Sequence, residues 1–149
     1  MIYDISTVPW EASRWPNFSP DEPNLACPCC GEFWFDPAYL DGLQRIRTLV
    51  DGPIRVNSGH RCRSHNRAVG GALLSQHLKI AWDISTRGHE RGKLLLAARE
   101  SGFTSFGFYG SFLHCDRRTP PRFWATKSGR EAWAGIITLN GKRPVLPGA

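Results

Sequence analysis

Three stretches of the 149-residue chain, residues 57–66, 70–84 and 112–117, concentrate side chains that could bind a metal or move a proton. Among them, His77, Asp83 and His114 supply a His/Asp/His set. Catalytic zinc sites use such ligands and keep three protein ligands plus one open position. Asp83 and His114 lie in segments that alternate like strands, so adjacent antiparallel strands would bring them together. On spacing alone, ordinary polar residues at strand edges are the simpler interpretation, because short His/Asp spacings are common.

The order of the motifs is more specific than any one of them. The chain contains, in sequence, Ser-Gly-x-Arg, Gly-Gly-Ala, Ser75-x-His77, Ala81-x-Asp83-Ile and Phe-x-His114-x-Asp. This order resembles the M15 peptidase family of zinc D-Ala-D-Ala carboxypeptidases, murein endopeptidases and phage endolysins. The likeness is greatest to the subgroup whose last motif is His-x-Asp, and it runs from about residue 17 to residue 124.

The resemblance implies a hedgehog/DD-peptidase-like fold and a zinc ion held by His77, Asp83 and His114. Zinc would lower the pKa of a bound water to about 7 and polarise the scissile carbonyl, while a carboxylate moves the proton. Many relatives place that carboxylate three residues before the last histidine, where this chain has Ser111. Asp116 is the nearest replacement, and we predict it to be the catalytic base.

Arg61 and Ser75 are the remaining predicted site residues. By its place in the motif, Arg61 would bind a substrate carboxylate or stabilise the developing oxyanion, since a guanidinium is a rigid fork of donors. The alternative is a structural arginine that braces the turn at residues 57–66. Ser75 is predicted to hydrogen-bond the loop that presents His77 and to contribute to substrate binding; the alternative is a simple turn residue.

One departure from the family signature concerns the spacing of the first two ligands. Five residues separate His77 from Asp83, where the family signature has six. A one-residue shift in a strand reverses the direction of its side chains. We expect the loop at residues 78–80 to tighten instead, so that Asp83 still faces the metal. If it does not, the chain is an inactive relative.

Five cysteines are present, and three of them, Cys27, Cys29 and Cys30, stand together. This segment resembles the cysteine-containing N-terminal part of the same subgroup. Buried free thiols or an opportunistic disulfide are the favoured interpretation; a structural zinc site completed by a distant residue such as Cys62 is the alternative.

The elements that must position these residues indicate a single α+β domain over residues 1–149. Residues 1–35 are predicted to be an irregular arm, and residues 147–149 to fray. Helical spacing and end signals predict helices from Asp36-Pro37 to Val50, near residues 63–69 and over 89–101. Strands are predicted at 54–57, 81–85, 105–109, 112–117 and 135–139. The expected architecture is a small antiparallel sheet with helices packed on one side.

Composition restricts the possible functions. The aromatic content of 11% excludes wholesale disorder, and the longest apolar runs are far too short to span a bilayer. The net charge of +6 favours a polyanionic environment such as nucleic acid or a bacterial wall. Nucleic-acid binding is disfavoured, because the aromatic residues do not interleave with basic ones.

The leading functional prediction is a zinc peptidase acting on bacterial peptidoglycan peptides. Its alternative is an inactive wall-binding or structural module of a phage-like particle. The first 16 residues lack a basic region followed by an apolar one, which predicts no signal peptide. We therefore expect synthesis in the cytoplasm and action on the wall after release, or as part of a virion-like particle with phage proteins as partners.

Overall fold

A five-stranded sheet forms the centre of the computed structural model, which describes residues 1–141 and 143–147. Across the sheet the strands lie in the order β3 (Val56–Ser58), β4 (Trp82–Ser85), β6 (Phe112–Asp116), β5 (Ser105–Phe108) and β7 (Phe123–Ala125). All neighbours pair antiparallel except β5 and β7, which are parallel.

Two helices cover one face of this sheet, and two further helices lie outside that layer. The helices are α1 (Pro37–Val50), α2 (Arg63–Ala68), α3 (Arg91–Glu100) and α4 (Lys127–Ala132). The covering pair, α1 and α3, pack on each other. The apolar side chains of these two helices pack against every second side chain of the strands and form one core with them. The core includes Leu40, Leu43, Ile46, Leu94, Leu95, Trp82, Ile84, Phe106, Phe108 and Leu113.

Local sequence explains why the longest helix begins and ends where it does. The Asp36 carboxylate accepts a hydrogen bond from the backbone N–H of Ala38, and Pro37 occupies the first turn, where its missing N–H costs nothing. At the other end Asp51 adopts a left-handed conformation with φ of 50°. The helix therefore stops just before the Gly52-Pro53 break, as predicted.

The α+β class and the helix-covered sheet confirm the prediction from sequence. The hairpin expected around Gly110 is also present, with Phe106 opposite Cys115 and Phe108 opposite Leu113. The parallel β5–β7 pair is a departure from the all-antiparallel sheet that we expected.

The N-terminal arm is more regular than predicted. Within residues 1–35, strand β1 (Ile2–Asp4) pairs antiparallel with β2 (Glu32–Trp34). Strand β7 and helix α4 were also missed. The strand predicted at 135–139 is β8 (Thr138–Asn140), and it pairs antiparallel with β9 (Arg143–Val145), which was not predicted. Of the predicted frayed end, residues 148 and 149 lie outside the described residues.

Among the residues that the structure describes, no helix is both long and apolar enough to cross a membrane.

Candidate metal centre and its cleft

A row of side chains crosses the sheet on the face opposite the core. Asp83 of β4 lies opposite His114 of β6, which lies opposite Gly107 of β5, which in turn pairs with Trp124 of β7. Because side chains alternate along each strand, all four positions point to the same face. The sheet register alone therefore brings Asp83 beside His114.

His77 joins this row from a one-turn 3-10 helix over Gln76–Leu78. Its Nε2 lies 3.1 Å from Asp83 Oδ2 and 3.2 Å from His114 Nδ1. His114 Nδ1 lies 2.9 Å from Asp83 Oδ1. The structure thus brings together the three residues predicted as ligands, with one ligand atom of each within 4.8 Å of the others.

In each histidine, the ring nitrogen that points away from the other residues of the set (the outer nitrogen) contacts a hydrogen-bond acceptor. His77 Nδ1 lies 2.6 Å from the carbonyl oxygen of Gly59, and His114 Nε2 lies 2.7 Å from Asp116 Oδ2. A carbonyl oxygen and an ionised carboxylate can only accept, so these nitrogens carry the protons. In the neutral rings, the inner nitrogens then present lone pairs to each other and to Asp83. Such an arrangement of acceptors requires a cation or a proton at its centre.

The pKa shifts of His77, Asp83 and His114 agree with the interpretation that these side chains surround a positive charge. Burial lowers the pKa of His77 below its usual value. Burial also opposes charging of His114, but its hydrogen bonds to Asp116 and Asp83 outweigh this and raise its pKa. Although burial works against ionisation of Asp83, the neighbouring His77 and His114 hold the pKa of that carboxyl well below its usual range. The set favours a carboxylate in contact with positive charge.

The short connection between His77 and Asp83 is accommodated in the loop rather than in the strand. The 3-10 turn ends at Lys79, which has φ of −106° and ψ of −101°, and Ile80 and Ala81 are buried immediately after it. Trp82 and Ile84 keep the core face, and Trp82 Nε1 donates to the carbonyl of Tyr39 at 3.0 Å. Asp83 therefore reaches both histidines despite the missing residue.

Asp116, the predicted catalytic base, contacts the nitrogen of His114 that faces away from the other two residues of the set. Its side chain is fully buried behind the His114 ring, on the side away from His77 and Asp83. Both of its oxygens also accept hydrogen bonds from Arg118. Burial is outweighed by these partners, and the pKa of Asp116 is held well below its usual range. The predicted base is thus placed to orient His114 and to keep its Nε2 protonated.

Arg61 and Ser75 lie side by side at the cleft in front of this set. The Arg61 guanidinium donates to Ser75 Oγ at 3.2 Å, and Ser75 Oγ accepts from the backbone N–H of His77 at 3.2 Å. Arg61 Nε is buried and has no hydrogen-bond partner among residues 1–141 and 143–147. The predicted link between Ser75 and the His77 loop is present.

Two cavities meet at this pair of residues. One, of about 560 Å³, is lined by His77, Asp83 and His114 and by three arginines, Arg61, Arg118 and Arg122. The other, of about 670 Å³, extends towards the N-terminal sheet, and Arg61 and Ser75 line both. The cleft formed by these two adjacent cavities therefore carries more cationic than anionic side chains.

Several residues of the site could not be found from their sequence motifs. Trp124 packs on His114 with ring centroids 4.9 Å apart, and its Nε1 donates to Tyr109 Oη at 3.0 Å. Gly107 makes room for this indole, because a Cβ at that position would lie 2.5 Å from it. Trp124 belongs to the strand that the sequence analysis missed, and nothing local marks its partner glycine. Gly59, whose carbonyl contacts His77 Nδ1, differs from these residues because it lies in a motif that the sequence analysis singled out, Ser-Gly-x-Arg.

Comparison with known proteins agrees with the geometry. A search of curated proteins found no match. The family model described as Peptidase M15 matches residues 16–116, about two thirds of the chain. The matched segment contains the three converging residues, Arg61, Ser75 and all of the central sheet except β7. The chain belongs to the M15 peptidase family.

Proposed function

We propose that the protein is a zinc-dependent peptidase that hydrolyses amide bonds in the peptides of bacterial peptidoglycan. The observation that carries this proposal is the convergence of His77 Nε2, Asp83 and His114 Nδ1 beside an open cationic cleft. Family membership supports peptidase activity in general. The metal, the substrate and the type of bond are the proposal's own content.

The donor set fits zinc. Two neutral imidazole nitrogens and one carboxylate match the ligands of catalytic zinc sites, and they leave a position open towards the cleft. When bound there, zinc would polarise the scissile carbonyl and lower the pKa of a water molecule. The chain's own contribution is to fix both rings: the Gly59 carbonyl orients His77, and the Asp116 carboxylate orients His114.

Substrate binding is assigned to Arg61 and the neighbouring cations. Stem peptides of peptidoglycan carry carboxylates, and a guanidinium with an unused buried donor is suited to bind one. Arg118 and Arg122 both lie against the Trp124 ring, at 5.2 and 5.8 Å from its centroid, and add positive charge to the same cleft. The second cavity beyond Ser75 extends the groove for further peptide residues.

One observation favours the second candidate, a wall-binding module without catalysis. Among the described residues that line the 560 Å³ cavity, Asp83 is the one carboxylate, and it faces both histidines. Glu32 lines the other cavity, where it pairs with His60. With Asp116 behind His114, the described lining of the 560 Å³ cavity offers no second carboxylate to move the proton of a water molecule. Delivery as a phage lysin or with a phage-like particle stays a prediction.

The test measures metal content and wall hydrolysis in the same preparations. Full-length protein loaded with zinc should release new amino groups from purified peptidoglycan, and His77→Ala and His114→Ala should lose both the metal at this site and the hydrolysis. His89→Ala is the control, since His89 contacts the Pro53 carbonyl outside the cleft. Zinc retained at this site without any hydrolysis would favour the binding module. Failure to bind zinc there would overturn the proposal.

A further inference from the structure

A second cluster of side chains that could bind a metal lies apart from the His77–Asp83–His114 set. Cys27, Cys29, Cys30 and Cys62 bring their Sγ atoms within 4.8 Å of one another. The Cys29 sulfur lies 3.4 Å from that of Cys27 and 3.4 Å from that of Cys62. Four thiolates around a tetrahedral zinc with bonds of about 2.3 Å are separated by about 3.8 Å. The cluster therefore already has close to the dimensions of such a site.

A tight turn in the N-terminal arm supplies three of the four sulfurs. The backbone N–H of Gly31 donates to the Cys27 carbonyl at 2.8 Å, and Gly31 has φ of 77°, a conformation that favours glycine. The turn directs Cys27 and Cys30, spaced as C-x-x-C, towards one point together with Cys29. A C-x-x-C turn is the usual ligand spacing of structural zinc sites.

The fourth sulfur comes from the beginning of α2, which makes the cluster a long-range contact. Cys62 is the N-cap residue of that helix, and its sulfur accepts a hydrogen bond from the backbone N–H of His65 at 3.4 Å. An N–H directed at sulfur favours the thiolate, which is the form that binds metals. The structure thus brings Cys62, the distant residue that the sequence offers, to the other three sulfurs.

Free thiols or a disulfide explain this arrangement less well. All five cysteines are free in the structure, and only Cys115 lies elsewhere, buried in the core. One disulfide would use two of the four sulfurs and would leave the other two as free thiols packed beside it. A single divalent cation satisfies all four at once, with each thiol giving up its proton on binding.

The position of the cluster gives it a structural task. The same short segment that contains Cys62 contains Gly59, whose carbonyl holds His77, and His60, whose backbone N–H donates to the Leu25 carbonyl of the arm at 3.0 Å. A Cβ on Gly59 would lie 2.4 Å from the same Leu25 oxygen, so arm and loop are in direct contact. A metal ion at the four sulfurs would fasten the arm to the loop that orients His77.

We propose that Cys27, Cys29, Cys30 and Cys62 bind a structural zinc ion, separate from the His77–Asp83–His114 set, that joins the N-terminal arm to the loop at residues 59–62.

The experiment counts zinc per chain in protein purified under reducing conditions and then replaces zinc with cobalt. Cobalt bound to thiolates gives sulfur-to-metal charge-transfer absorption, which cobalt bound to histidine and carboxylate does not. The full chain should bind two zinc ions. His77→Ala should keep one zinc and the full charge-transfer absorption, while Cys62→Ser and Cys30→Ser should lose that absorption. Cys115→Ala, outside the cluster, is the matched control and should retain it.

Two outcomes would overturn the proposal. One is a His77→Ala protein that binds no zinc and shows no charge-transfer absorption with cobalt. The other is a disulfide between any two of the four cysteines in peptide maps of the freshly purified full chain. Both readouts use folded His77→Ala or wild-type protein, so a cysteine variant that fails to fold does not affect them. Neither depends on hydrolysis, so the proposed peptidase function stands or falls separately.

Discussion

Both ring nitrogens of His114 are engaged, and this makes Asp116 a residue whose role can be measured. If Asp116 orients the ring, Asp116→Asn should weaken zinc binding at the cleft about 10- to 100-fold, because an amide is a poorer acceptor for the Nε2 proton. Zinc competition with a chelator measures this. The control is Asp51→Asn, an exposed helix-cap position where Asn also tolerates positive φ.

The opposite result has a distinct meaning. Zinc affinity unchanged by Asp116→Asn, together with lost hydrolysis, would restore Asp116 as the base and contradict the orienting role.

Arg61 offers a second test of the same site. Its guanidinium lines the cleft, and within the described part of the chain its Nε has no hydrogen-bond partner. Arg61→Lys keeps the charge but removes the fork, so kcat/KM for peptidoglycan peptides should fall roughly 10- to 100-fold, the worth of a charged hydrogen bond. Zinc content should stay constant. Arg45→Lys, on the exposed side of α1, is the control, and equal kinetics for the two variants would make Arg61 a purely structural residue.

Among the strands, β5 contributes by leaving space rather than by offering a side chain. Gly107→Ala should displace the Trp124 indole from His114 and cost about 1–3 kcal/mol in unfolding free energy, since the new Cβ would lie 2.5 Å from that ring. Denaturant unfolding measures the change. Gly92→Ala in α3 meets no neighbouring atom and should instead stabilise by about 0.5–1 kcal/mol. A neutral Gly107→Ala would show that the indole moves freely.

How much of the fold could be predicted depends on how local its causes are. Helix α1 was predictable because Asp36, Pro37 and the leucine spacing all act within the helix. Strands β1 and β2 were not, because each has only three residues and they pair over a long separation in sequence, Ile2 with Trp34. Strand β7 follows Pro120-Pro121, and its parallel pairing with β5 leaves no alternation that a single sequence reveals.

The site shows the same division between local and long-range causes. The motif positions of His77, Asp83 and His114 were sufficient to select them, and the alternation of β4 was sufficient to predict that Asp83 faces them. The side of the His114 ring on which Asp116 lies depends on side-chain rotation and on Arg118, which no spacing encodes. The cysteine cluster likewise needed the three-dimensional contact between the arm and α2.

At the scale of the whole molecule, Tyr39 links helix α1 to the sheet, and its ionisation is expected to lower the free energy of unfolding at alkaline pH. Its hydroxyl accepts from the backbone N–H of Arg117 at 2.8 Å, and burial raises the pKa of Tyr39 to about 12. The folded state thus prefers the neutral phenol. Its contribution is complete below pH 10, the pKa of an exposed tyrosine, and is lost as pH rises through about 12.

The expected loss is on the order of 2 kcal/mol between these two pH values. Denaturant unfolding of wild type and Tyr39→Phe at both pH values measures it, and the difference between the proteins isolates this group. The variant should lose correspondingly less stability on going to high pH. Equal losses in the two proteins would show that the Tyr39 phenol ionises as easily in the fold as outside it.

The row from Asp83 through His114 and Gly107 to Trp124 depends on one pairing register, and the other face of the same strands depends on it too. A slip of β6 by one residue would put Leu113 or Cys115 at the position of His114. The His114 side chain would then point into the hydrophobic core. Misfolded alternatives therefore lose the contact between Asp83 and His114 and their hydrophobic packing in the same step. Substitutions selected only for a well-packed core would preserve that contact without any selection on chemistry.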